Sequence, residues 1–199
     1  MKPMYDPLDY RLSELNKLEP AKGRLLISDP FLPDPYFKRS VVLLMEHNEE
    51  GSLGFILNKP LEISVSDTDL KIDTSRFNML FGGPVQSTDL FYIHTKGANI
   101  EGSTELKDGL YWGGDFKAIE SMIQDGTMKE SDIQFFVGYS GWEKDQLMTE
   151  INDDSWLVHE TDLSDLFNTN TRNLWRNILE ELDSELSILS TFPEDPNMN

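Results

Sequence analysis

Imidazole is the side chain best suited to moving protons near neutral pH, and this 199-residue chain has three: His47, His94 and His159. None lies in a metal-ligand spacing such as HExxH. His47 follows Glu46 and precedes the acidic turn of Glu49 and Glu50. A hard-metal site is one reading of that cluster, and a histidine ending a strand beside a hairpin is the plainer one. No metal and no cofactor is expected. His94 and His159 each follow an apolar run and read as strand-end residues. Gly138-Tyr139-Ser140-Gly141-Trp142 follows the most β-like run of the chain, residues 133–139, and precedes a helical pattern. That context is similar to a nucleophile elbow, G-x-S-x-G, in which a strained strand-to-helix turn exposes a serine. Trp142 stands where the last glycine belongs, and the elbow needs small residues around the serine. The plainer reading is a strand-to-helix turn in which Gly138 and Gly141 supply unusual backbone geometry and Trp142 packs.

Two glycine pairs, Gly82-Gly83 and Gly113-Gly114, could cradle a phosphate through bare N–H groups. Neither belongs to a G-x-x-x-x-G-K or G-x-G-x-x-G pattern, and Pro84 lacks an N–H. Close approach of backbone segments explains them better. The densest basic stretch holds Lys17, Lys22, Arg24, Lys38 and Arg39 against Glu19, Asp29 and Asp34, five charges against three. It reads as a small anion site or as an internal counterpart to the acidic end of the chain. It is too small for a nucleic-acid footprint. Phe31, Tyr36 and Phe37 form either a partner surface or plugs beneath a loop.

Composition narrows the classes further. Lys and Arg number 17 and Asp and Glu 36, a net charge of −19. That opposes nucleic acid and a polybasic membrane contact, since both depend on Lys and Arg. The charge is uneven: residues 1–142 carry 14 basic and 22 acidic side chains (−8), and residues 143–199 carry 3 and 14 (−11). A solvated face or a dock for a basic partner would explain the second figure. The absence of cysteine excludes disulfides, thiolate metal sites and a cysteine nucleophile. No secretory signal or membrane-length apolar run is visible, so a cytoplasmic protein is expected.

The elements that must position these residues follow from periodicity. Asp6-Pro7 opens a predicted helix to about Leu18. Residues 23–28, 41–46 and 52–58 read as strands, the last two as a hairpin, and residues 29–35, with three prolines, as irregular. The stretch to Asn78 is ambiguous. Strands follow at 79–81 and 90–94, and a hairpin turns at Lys107-Asp108-Gly109. Asp115 caps a helix that Gly126 ends. The strand at 133–139 comes next, then a predicted helix over 142–152 and a strand over 156–158. Apolar residues at 3–4 spacing make 171–190 an amphipathic helix. Irregular interleaving of strands and helices predicts a mixed α+β domain.

Together the motifs resemble one family. Residues 23–60, GRLLISDPFLPDPYFKRSVVLLMEHNEEGSLGFILNKP, are similar to the opening signature of the AlgH/YqgE family of bacterial proteins. FGGPVQ at 81–86, LKDG at 106–109 and GYSGWEKDQLMTE at 138–150 are similar to its later signatures, in the same order. The resemblance spans about Gly23 to Leu189. It implies an α+β fold with a branched antiparallel or mixed sheet curled into a pseudo-barrel, helices outside it and the amphipathic helix at the C-terminus. One domain is expected: a family-like core over 23–190, a helical extension over 1–22 and a mobile tail over 191–199. The family carries a transcriptional-regulator label and no established catalytic residues. It tolerates small residues other than serine at the position of Ser140. Matched positions such as Gly54, Asn58, Pro60, Gly82 and Trp142 suit a scaffold or a concave binding surface more than an acid–base pair.

The resulting expectation is a non-enzymatic binding or regulatory module acting through a protein or small-ligand partner. His47, Asn58, Gly83, Gln86, Tyr139 and Trp142 are its candidate binding residues. Convergence of His47, Asn58, Gln86 and Trp142 on one pocket would mark a ligand site. The alternatives are a hydrolase using His47, His94 or Ser140, and a direct DNA-binding regulator.

Overall fold

Leu25-Leu26-Ile27 and Val41 to Met45 are apolar without alternation, which asks for strands covered on both faces. The computed structural model describes residues 11–61, 77, 79–163, 171–182, 187–188 and 190–191, and it covers those strands in that way. Val41, Leu43 and Met45 enter one core cluster with Leu25, Ile27, Trp175 and Leu179. Val42 and Leu44 enter another with Leu26, Leu147, Ile151 and Trp156.

The strands are β1 (Leu25–Ser28), β2 (Val41–Asn48), β3 (Gly51–Ile56), β4 (Met79–Phe81), β5 (Val85–His94), β6 (Ser103–Glu105), β7 (Tyr111–Gly113), β8 (Ile133–Glu143) and β9 (Trp156–His159). The helices are α1 (Leu12–Leu15), α2 (Phe116–Gln124), α3 (Gln146–Asn152) and α4 (Leu174–Leu182). The sheet runs β6-β7-β5-β8-β3-β2-β1-β9, with β4 added on β8. Only the β4–β8 pairing is parallel among the described strands. The architecture is α+β, a curled, mainly antiparallel sheet forming a half-barrel, with the four helices α1–α4 beside it among the described residues. α3 contributes Leu147 and Ile151 to one face, and α4 contributes Trp175, Ile178 and Leu179 to the other. No described helix is long and apolar enough to cross a membrane.

The branch point is β8. Its first half pairs with β4 and β5, and its second half with β3. This corrects the helix expected over 142–152. Ser140, Gly141, Trp142 and Glu143 continue the ladder opposite Gly54, Leu53, Ser52 and Gly51, and the helix starts only at Gln146. The glycines that punctuate the sequence here are a crossing, not a turn. Gly138 has φ +69°, and a Cβ there would lie 2.4 Å from the Gly83 carbonyl oxygen. Strand β5 likewise begins at Val85, earlier than expected, with a register shift between Val85 and Leu90.

The expected N-terminal helix ends at Leu15 among the described residues, because Asn16 has another task. Its Nδ2 donates to the Trp156 carbonyl (2.9 Å), and its Oδ1 accepts from the Val158 amide (2.6 Å). Asn16 thus satisfies β9 at the sheet edge, and Leu12 is buried in the core. The Asp115 cap and the positive φ of Gly126 are as expected, as is the β6–β7 hairpin. Residues 1–10 of the predicted N-terminal helix, the polar stretch 62–76, residues 183–186 and 189 of the long helix, and the tail from 192 lie outside the described residues.

Candidate functional site

Ser140 is fully buried on β8, and its hydroxyl donates to the Gly82 carbonyl at 3.0 Å. That carbonyl also accepts the Ile56 amide, so Ser140 ties together the strand ends meeting at the branch. His94 is fully buried at the end of β5. The Lys96 amide donates to its Nδ1 (3.2 Å), which leaves the proton on Nε2, directed to the Gly113 carbonyl (3.1 Å) and near Ser103 Oγ (3.1 Å). Burial pushes the His94 pKa below its ordinary 6.5, against the opposing pull of the Gly113 carbonyl. A neutral ring with both nitrogens engaged by the scaffold orders the turn between β5 and β6. His159 is also pushed down by burial, with Glu181 and Glu160 acting against it.

His47 lies on β2 directly across from Ser52 on β3, with Nδ1 2.7 Å from Ser52 Oγ. Both line a shallow hollow of about 310 Å³ beside Glu143, Asp145 and Met148. On the other side of the same hairpin lies a wider groove of about 610 Å³. Leu53, Val85 and Tyr139 give it an apolar floor, Trp142 borders it with its ring buried in the core on the α3 face, and Glu46, Glu50 and Glu143 are its charged lining residues among those described. Asn48, Ser52 and Gln146 add polar groups.

The sheet behind the groove is braced by one carboxylate. Glu150 Oε2 accepts from the indole N–H of both Trp142 and Trp156 at 2.8 Å, and Oε1 accepts from Gln146 at 2.9 Å. Phe37 packs on both tryptophans, with ring centroids 6.0 and 5.5 Å away. It is therefore a plug beneath its loop. Phe31 and Tyr36 remain half exposed, and Tyr36 stacks on Phe81.

Two of the candidate residues, Tyr139 and Trp142, share the groove, and His47 lines the neighbouring hollow. Exposed Gln86, with φ +45°, lies in the β5 irregularity next to the groove residue Val85. Gly83 lies beneath the site. A Cβ on it would fall 2.3 Å from the Tyr139 carbonyl carbon and oxygen, so only glycine lets these backbones meet. Asn58 is elsewhere. Its Oδ1 accepts from the Val41 amide (2.9 Å), and its Nδ2 donates to the Arg39 carbonyl (2.8 Å). His47, Asn58, Gln86 and Trp142 thus do not meet in one pocket. Ser52, Gln146 and Glu150 were not singled out in the sequence. A period-2 reading of the 52–58 strand, paired through the Asn48–Gly51 turn, could have placed Ser52 opposite His47.

The family model described as AlgH-like matches residues 25–187. The chain belongs to the AlgH-like family. A UPF0301 protein of Bacteroides thetaiotaomicron is 43% identical over 185 residues, covering 92% of this chain and 94% of its own. Another, from Cytophaga hutchinsonii, is 40% identical over 180 residues, covering 90% and 99%. The solution structure of the AlgH protein from Pseudomonas aeruginosa matches with TM-score 0.68 and 27% identity, covering 89% of this chain and 98% of that one. The crystal structure of protein DIP2367 from Corynebacterium diphtheriae matches in fold, with TM-score 0.73 and 24% identity over 92% and 99%.

Proposed function

We propose that this AlgH-like chain is a non-enzymatic binding module that docks a protein partner through the groove between the β2–β3 hairpin and β8. The observation that carries the reading is the groove's lining: an apolar floor of Leu53, Val85 and Tyr139 under a charged rim that is acidic throughout among the described residues. A partner segment offering an apolar side chain flanked by Lys or Arg complements it in both respects. The rigid backing by Glu150 and the tryptophan pair lowers the ordering cost of binding. The buried commitments of Ser140 and His94 give those residues scaffold roles, which also supports the reading. A regulatory role would then run through another protein rather than through direct contact with DNA, in the expected cytoplasmic setting. The test is charge reversal. Glu46→Lys with Glu143→Lys should abolish recovery of a specific partner from native cells while leaving the fold intact. Equal recovery by the double variant would overturn the proposal.

A second reading rests on a different observation, the 2.7 Å contact between His47 Nδ1 and Ser52 Oγ. A serine within hydrogen-bond reach of a histidine is the minimal unit of a hydrolase. Covalent labelling of Ser52 by a fluorophosphonate, lost in His47→Gln, would favour it; no labelling would remove it.

A further inference from the structure

The groove also holds one edge of the sheet, and the ladder says which atoms lie on it. Along an antiparallel pair, residues alternate between turning N–H and C=O toward the partner strand and turning them away. The Leu57 amide donates to the Val41 carbonyl at 2.8 Å. In the same register Leu43 bonds with Phe55, so Gly54 turns its N–H and C=O toward β8. Ser140 and Trp142, opposite Gly54 and Ser52, therefore bond to β3. Gly141 and Glu143, opposite Leu53 and Gly51, turn theirs to the far side. The Glu143 amide accordingly donates to Gln146 Oε1 at 2.9 Å, away from β3.

Strand β5 is the neighbour on that far side, and it stops short. Its last pair with β8 is Val85 with Tyr139. The chain reaches Val85 through Pro84 and through Gly83, which is pressed against β8: a Cβ on Gly83 would lie 2.4 Å from the Ser140 nitrogen. Gly141 is exposed, and its N–H and C=O have no hydrogen-bond partner among the described residues. An unpaired strand edge is a template for another strand.

The rows across the sheet set the side-chain pattern. Glu46, Leu53 and Gly141 form one row, and Asn48, Gly51 and Glu143 form the next row on the same face. A strand added beside Gly141 places one side chain in each row, two positions apart. The side chain opposite Gly141 meets no side chain there and lies beside Val85, since a Cβ on Gly141 would be 3.7 Å from Val85 Cγ2. The one opposite Glu143 meets a carboxylate. The other concavity, of about 390 Å³ and lined by Lys38, Arg39, Lys59, Arg172 and Arg176, has no lining residue in a strand and so offers no edge.

We infer that the groove's partner enters as an extended segment, adding an antiparallel strand to β8 at Gly141–Glu143 in line with β5 and carrying Lys or Arg two residues before an apolar residue. This rests on the groove reading above and names the conformation and motif of the partner. Main-chain bonds to Gly141 supply affinity, and the two side chains supply specificity. A second copy of the chain fits less well, because edge-to-edge pairing would bring two acidic rims together.

The test uses the full chain and a synthetic probe, acetyl-Thr-Lys-Thr-Val-Thr-amide, whose Lys and Val share one face. In the free chain the Gly141 amide should be about tenfold or more less protected from hydrogen exchange than those of Ser140 and Trp142. Saturating probe should raise Gly141 protection by about tenfold or more and leave the other two unchanged. Gly141→Pro removes an edge N–H and no bond to β3, and should weaken probe binding about tenfold. Gly141→Ala adds bulk but keeps the N–H, and should weaken it about threefold at most. A protected Gly141 amide in the free chain, equal binding by Gly141→Pro and the unaltered chain, or no saturable binding of the probe would overturn strand addition. Each leaves groove docking standing, because recovery of a partner under charge reversal is measured apart from the probe. Probe binding that Glu46→Lys with Glu143→Lys leaves unchanged would overturn the groove reading and this inference together.

Discussion

The groove and the basic cavity are both concave, and their linings carry opposite charge. The groove's charged residues are Glu46, Glu50 and Glu143; the cavity's are Lys38, Arg39, Lys59, Arg172 and Arg176. They also differ in construction. The groove is built from one hairpin and the strand that continues its ladder, with the edge of β5 and the start of α3 closing it. The cavity needs the C-terminal helix to return to a loop more than a hundred residues earlier. The difference shows how little a net charge of −19 says about any one surface. The total argued against nucleic acid, yet a chain with that total still concentrates cations where the fold brings distant segments together.

Gly83→Ala should have the largest effect. The added Cβ meets the Tyr139 carbonyl, on a backbone at φ +151°. A destabilisation of about 4 kcal/mol is expected, in the range of severe backbone and packing defects. Urea unfolding measures it.

Next is Glu150→Ala, which removes the acceptor shared by two indole N–H groups. Leaving buried donors unpaired should cost about 2–4 kcal/mol. Glu150→Gln, which keeps an oxygen acceptor, should recover much of that loss. Thermal unfolding separates the two variants, and the groove should lose its partner before the cavity changes.

Asn58→Ala attacks the other side. It removes one bond to the Val41 amide and one to the Arg39 carbonyl, at a cost of about 1–3 kcal/mol. Urea unfolding measures the loss, and groove binding should be unaffected.

The smallest expected effect is the pH dependence from His94, which belongs to neither region. Burial holds its pKa below 6.5 in the folded chain, so the unfolded chain takes up the proton first as pH falls. The stability it contributes is complete above about pH 6.5 and declines as the pH drops through that value toward the lower folded one. Replacing His94 by Gln should flatten that part of the urea-measured stability profile. His159, lowered in the same direction, leaves a residual slope.

Most strands were legible because their apolar runs and turn residues agree: residues 41–58 form the expected hairpin, and Asp108-Gly109 turns the next one. The crossing at Gly138–Trp142 was not legible. Glycines mark turns and close backbone contacts alike, and the choice depends on a partner strand that local sequence does not reveal. Asn16 similarly ends a helix through bonds to residues 140 or more positions away. At the groove, Tyr139 and Trp142 stood out through the motif they share, whereas Glu150 read as one more acidic residue on a helix. Arg172 and Arg176 read as the polar face of an amphipathic helix, and their meeting with Lys38 and Arg39 depends on α4 packing back beside the loop before β2. The basic stretch near residues 17–39 did point to an anion site or an internal counterion. Folding divides it, with Arg24 facing Glu160 and Lys38 and Arg39 facing the cavity.

Docking of a partner in the groove can be read directly by placing a photo-crosslinking benzoylphenylalanine at Val85. Val85 is 36% exposed on the groove's edge. One discrete protein adduct is expected in native cells, absent when the crosslinker is at Lys117 and lost when Glu46→Lys and Glu143→Lys are added. No adduct from Val85, or one that persists after the charge reversal, would contradict it.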